Sequence, residues 1–120
     1  MTSVAAKLQL KPGQRVHVVN RPETVDLELA TDHPIIEFAD EADAVIVFVT
    51  DRAELDAHRS VAIDAARRGA LSWLAYPKAG QLGTDLNRDS LNAALTPRGV
   101  RGVRQVSIDE VWSALRFRPA

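Results

Sequence analysis

Ala44-Val45-Ile46-Val47-Phe48-Val49-Thr50 is an unbroken apolar run dominated by β-branched residues, and its reading decides the fold. It is short enough for a strand and too short for most helices. With no polar alternation, neither face of such a strand can meet water, so it reads as a central strand of a parallel sheet covered on both sides. Asp51 is a good N-cap, and Glu54 three residues on gives a capping-box pattern. The helix that follows runs to about Arg68 and stops at Gly69, with Arg67 and Arg68 favourably placed in its last turn. Leu55, Ala62, Ala65 and Ala66 form its apolar stripe. Leu71-Ser-Trp-Leu-Ala-Tyr76 then repeats the apolar strand, which completes one βαβ unit.

Upstream, Ser3 to Leu10 suits a short helix, and Lys11-Pro-Gly-Gln14 is a turn. Arg15 to Asn20 is a first strand with Val16 and Val18 on one face. Between Pro22 and Leu29 two signals compete. Thr24-Val-Asp-Leu-Glu-Leu29 alternates with period two, as a strand does, whereas Pro22 and Glu23 suit a helix start. A parallel neighbour needs a crossover here, which favours a short helix. Pro34 to Phe38 reads as a short strand near the sheet edge, and Asp40 to Asp43 as an acidic turn.

Downstream, Pro77 to Gly83 is a loop, and Thr84 or Asp85 can cap a helix containing Leu86, Leu91, Ala94 and Leu95. Thr96-Pro97 ends it. Val103–Ile108 and Trp112–Phe117 are strands separated by a hairpin-length Asp109-Glu110-Val111. The expected architecture is one α/β domain over residues 1–120: a three-layer, Rossmann-like open sheet, mostly parallel, with a C-terminal antiparallel hairpin. The closing strand from Trp112 to Phe117 is expected to be an exposed edge, open to a second copy.

Composition narrows the function classes. The chain has 120 residues, a net charge of −1 and no cysteine. Disulfides, thiolate metal sites and cysteine nucleophiles are excluded. The charge balance offers no global attraction to nucleic acid or acidic lipid, and Arg98, Arg101 and Arg104 read as a solvated loop and strand edge. No long apolar h-region or membrane-length run occurs, so a cytoplasmic location is expected. His17, His33 and His58 are scattered, without a second ligand at helical spacing, and no metal site or catalytic triad is expected.

Five stretches carry a resemblance to known proteins: Lys11-Pro-Gly-x-Arg15, Phe48-Val-Thr-Asp-Arg-Ala-Glu-Leu55, Trp73-x-Ala-Tyr-Pro-Lys78, Thr84-Asp-Leu-x-Arg-Asp89 and Asp109-Glu-x-Trp-Ser-x-Leu-Arg-Phe117. With them the chain resembles a small bacterial domain-of-unknown-function family. That family is built on a reduced scaffold like that of class I S-adenosylmethionine-dependent methyltransferases. The resemblance implies a fold and no assigned activity. Methyltransferase chemistry is not expected, because the loop after the first strand, Asn20-Arg21-Pro22-Glu23, lacks the glycines that let a cofactor approach the backbone. No cofactor is expected.

In an open α/β sheet, ligands bind outside the carboxyl ends of the parallel strands. Here that edge collects Asn20, Arg21, Asp51, Arg52, Tyr76, Lys78, Thr84, Asp85, Arg88 and Asp109. Many of these residue types also serve as caps and turn formers, and Asp85 and Arg88 suit a local ion pair. Trp73 and Trp112 are read as packing residues. Two functions follow. One is a non-enzymatic binding domain on a degenerate methyltransferase-like scaffold, its partner another protein or a second copy of the chain, with no nucleic acid or membrane involved. The other is a small-molecule, specifically anion, binding protein or enzyme using the strand-end cluster, with Lys78 and Arg88 as its anion contacts.

Overall fold

The decisive apolar run is a strand buried on both faces. In the computed structural model, which describes residues 3–29 and 33–120, β2 spans Ala44–Phe48 and all five residues are buried. Asp51 caps α2 (Arg52–Arg67), its carboxylate accepting the Glu54 N–H at 2.9 Å. Glu54 reaches back one residue further than a capping box requires and accepts the Thr50 N–H at 2.6 Å. Gly69 follows with φ +84°, the left-handed conformation that ends a helix at low cost in glycine. β3 (Leu71–Pro77) then lies parallel to β2, with Ile46 opposite Trp73. β1 (Val16–Val19) is parallel to β2 on its other side. The two apolar strands are thus adjacent, parallel and central, as their composition requires.

The remaining strands correct the expected fold class. β4 (Val100–Ser107) and β5 (Trp112–Pro119) form the expected hairpin, and the sheet order is β1-β2-β3-β5-β4. β5 runs against both of its neighbours, and these two antiparallel ladders are longer than the two parallel ones. The sheet is therefore mixed, not a mostly parallel Rossmann-like sheet. The cause lies in β5 itself. Trp112, Ser113, Ala114, Leu115 and Phe117 are all buried, so both of its faces need cover and it inserts beside β3. The expectation that β5 is an exposed edge fails for the same reason. β4, exposed along most of its length, is the edge.

Nor are the two faces covered by equivalent helical layers. On one face, α2 and α3 (Arg88–Leu95) bury Leu55, Ala62, Ile63, Ala66, Leu91 and Leu95 against Val47, Leu74, Leu115 and Phe117. Among the described residues, the opposite face is covered mainly by α1 (Val4–Lys7), a single turn, and the segment 22–29. Val4, Leu8, Val25 and Leu27 there cover Ile46, Phe48, Trp73, Ala75 and Trp112. Phe48 and Trp112 meet edge to face at 5.2 Å. The Trp73 indole N–H donates to the Leu8 carbonyl at 3.0 Å, tying α1 to the sheet.

The helix expected after Pro22 does not form. Pro22 to Val25 is a turn, and Val25 and Leu27 are buried while Asp26 and Glu28 are exposed. Period two prevails because it puts both apolar residues on one side of an extended chain, which a helix would spread around its axis. Glu28 then accepts the Val4 N–H at 2.8 Å, a carboxylate at the positive end of α1. Residues 30–32 of the expected crossover lie outside the described residues. The Pro34–Phe38 strand shrinks to one parallel bridge, Ile35 to Val16, on the outer edge of β1. Among the described residues no helix is long and apolar enough to cross a membrane.

Candidate functional site

The ten residues gathered from the strand ends separate into structural ties and hollow-lining groups. Asp51 is the α2 cap. Arg52 pairs with Asp56 one turn along the same helix, at 3.0 Å. Asp85 accepts the Arg52 backbone N–H at 3.0 Å, so it satisfies the N-terminus of α2 and forms no ion pair with Arg88. Thr84 donates to the Thr50 carbonyl at 2.6 Å and accepts the Leu86 N–H. Neither Thr84 nor Asp85 caps α3. That role belongs to Asn87, in a reciprocal capping box with Ser90. Asp109 accepts the N–H groups of Val111 and Trp112, each at 2.8 Å, and closes the β4–β5 turn. Asn20 turns the chain after β1 with φ +59°, a conformation asparagine tolerates better than most residues. Arg21 donates to the Val25 carbonyl and lines a groove with Glu23, Asp26 and Glu28.

Tyr76, Lys78 and Arg88 do come together. They line one hollow of about 530 Å³ with Ala79, Asn87, Gln105, Ser107 and Ser113. Tyr76 and Lys78 arrive from the carboxyl end of β3 and Arg88 from the first turn of α3. The hairpin supplies the opposite wall, since Ser107 and Ser113 are cross-strand partners and Ser113 faces Tyr76. The Lys78 ammonium donates to Ser107 Oγ at 2.8 Å. Among the described residues no carboxylate lies within 4.0 Å of either Lys78 or Arg88. Burial pushes the Tyr76 phenol above its ordinary value, with Arg88 pulling it down and Asp89 pushing it up. The phenol therefore keeps its proton at neutral pH and can donate a hydrogen bond. The Ser107 hydroxyl donates to the Asp109 carbonyl at 3.2 Å, so two cations, the Tyr76 phenol and the Ser113 hydroxyl are the donors around this space, a set suited to an anion.

A second hollow, of about 600 Å³, sits where the parallel strand ends meet the β4–β5 turn. Pro22, Leu82, Val111 and Trp112 make it largely apolar, and its Asp109 carboxylate is already committed to the turn. Thr24 and Thr50 add hydroxyls, but its charged lining residues, Asp109 and Glu110, are both acidic and disfavour an anion. Among the described residues no group of three or more His, Asp and Glu side chains is placed to hold a metal ion. His17 Nδ1 contacts the Ile36 carbonyl and His33 Nε2 the Lys11 carbonyl, both tying loops together.

Sequence reasoning missed Asn87, Gln105, Ser107 and Ser113. Asn87 carried a legible signal, the Asn-x-x-Ser spacing of a cap. The hairpin residues carried none, because only the insertion of β5 beside β3 brings Ser107 over Lys78. No known protein-family model matches the chain, and no curated protein matches it.

Proposed function

We propose that this chain is a non-enzymatic, cytoplasmic binding domain whose ligand is a small anion, a phosphate or a molecule bearing one, held between Lys78 and Arg88. The observation that carries this reading is the convergence of both cations with the protonated Tyr76 on one hollow, with no carboxylate among the described residues in ion-pair range. A hollow of about 530 Å³ falls within the usual range for small-molecule sites. The ligand is held by the Lys78 point charge, the planar Arg88 guanidinium and the Tyr76 and Ser113 hydroxyls.

The test is thermal melting of wild type, Lys78→Met and Arg88→Gln with phosphate, sulfate and chloride at matched ionic strength. Wild type should melt higher with phosphate than with chloride, because a ligand at a hundredfold its Kd stabilises by about 2.7 kcal/mol. Each variant should lose that gain while melting within a few degrees of wild type without anion. If wild type ignores phosphate, or both variants still respond, the assignment is wrong.

A further inference from the structure

Four arginines stand together on the sheet face opposite α2, at the far end of the hairpin from the anion hollow. Arg101 is the cross-strand partner of Arg118, and Arg104 of Arg116. Uninterrupted alternation would place Arg101 and Arg104 on opposite faces. A bulge between Gly102 and Arg104 leaves Val103 out of register, so Arg104 is turned onto the face of Arg101. Gly102 permits this, since a Cβ there would lie 3.0 Å from the Leu115 side chain. Directly opposed residues lie about 5 Å apart at Cβ, and same-face neighbours along a strand about 7 Å apart. Four positive charges therefore rise from a patch of about 5 by 7 Å.

Such crowding of like charge is unfavourable, and no ion pair among the described residues relieves it. Among the described residues no carboxylate lies within 4.0 Å of any of the four. Arg101, Arg104 and Arg118 are exposed and make no side-chain hydrogen bond among the described residues. Arg116 donates to Gln9 Oε1 at 2.6 Å, but its Nε is buried without a partner. Burial, and then the charges of Arg118 and Arg104, push the pKa of Arg116 below the ordinary guanidinium value. With three of the four exposed and Arg116 half-buried, the face is open and suits an extended anion.

We propose that this arginine face docks the phosphodiester backbone of a nucleic-acid duplex. Guanidinium forks match phosphate oxygens two at a time, and a backbone lying across the face reaches both strands at once. An acidic peptide added to the edge of β4 would meet only Arg101 and Arg104, and the bulge spoils that edge for strand addition. An anionic bilayer would call for apolar insertion as well as charge. The large apolar side chain exposed on this hairpin is Val103 alone. The net charge of −1 makes the attraction local, so binding is independent of base sequence and steeply dependent on salt.

The experiment measures binding of the intact chain to a labelled duplex of arbitrary sequence by fluorescence anisotropy across a salt series. Four phosphate contacts give a slope of log K against log salt of about −3.6, or a loss of about 150-fold between 50 and 200 mM. The double variant Arg104→Gln, Arg118→Gln should halve the slope, to a loss of about 12-fold, with an unchanged circular-dichroism spectrum. Arg101→Gln alone should reduce the slope by about 0.9, which keeps the test open should the double variant misfold. Arg59→Gln, on α2 across the sheet, should leave the slope unchanged, which shows that the loss belongs to this face and not to any lost surface cation. Absence of duplex binding at 50 mM salt, or a slope unchanged in Arg101→Gln, overturns the proposal. So does a preference for phosphatidylserine vesicles over the duplex.

Discussion

Replacing Trp73 with Phe tests how the thinly covered face of the sheet is held. Trp73 is fully buried, and its indole N–H is the bond that ties the end of α1 to β3. Phenylalanine cannot donate it, which leaves the buried Leu8 carbonyl without that partner at about 1–3 kcal/mol. The smaller ring also removes two buried carbons, worth about 1.6 kcal/mol at 0.8 per methylene. A total near 3 kcal/mol corresponds to a melting point lower by about 10 °C for a domain of this size. Urea denaturation followed by circular dichroism gives the free energy, and an unchanged m-value confirms that the unfolded state is comparable. The consequence should extend past stability. Gln9, next in the chain, holds Arg116, so loosening α1 should free that arginine and weaken any polyanion bound to its face. A loss below about 1 kcal/mol would show that the indole N–H is readily replaced, and the account of α1 as a clamp would be wrong.

Gly102→Ala should destabilise by about 1–3 kcal/mol in the same assay, since the added methyl falls 3.0–3.2 Å from three Leu115 carbons. It should also weaken duplex binding by disturbing the bulge. Tyr76→Phe should alter stability at high pH. The raised phenol means that the unfolded chain loses this proton first, so the contribution is complete below about pH 10 and falls as pH rises through the folded-state value. Melting at pH 9 and pH 11 should therefore show a smaller alkaline loss in the variant than in wild type.

Local chemistry in the sequence determined the centre of the molecule. Unbroken apolar runs can survive only where both faces are covered, so β2 and β3 were legible as central parallel strands, and Asp51 and Gly69 marked the ends of the helix between them. The pairing of Lys78 with Arg88 was also legible, because both follow the ends of elements whose direction the sequence implies. Where two local signals conflicted, after Pro22, burial of Val25 and Leu27 outweighed the proline and the helix did not form. Long-range placement was decided only by tertiary structure. A hairpin can pack through either of its strands, and burial of β5 on both faces put it beside β3, which made the sheet mixed and left β4 as the edge. That choice carried Ser107 over Lys78 and completed the hollow around Tyr76, Lys78 and Arg88. One out-of-register residue, Val103, then brought Arg104 onto the face that Arg101, Arg116 and Arg118 already shared, because side-chain direction in a strand reverses at every residue and a single bulge resets it.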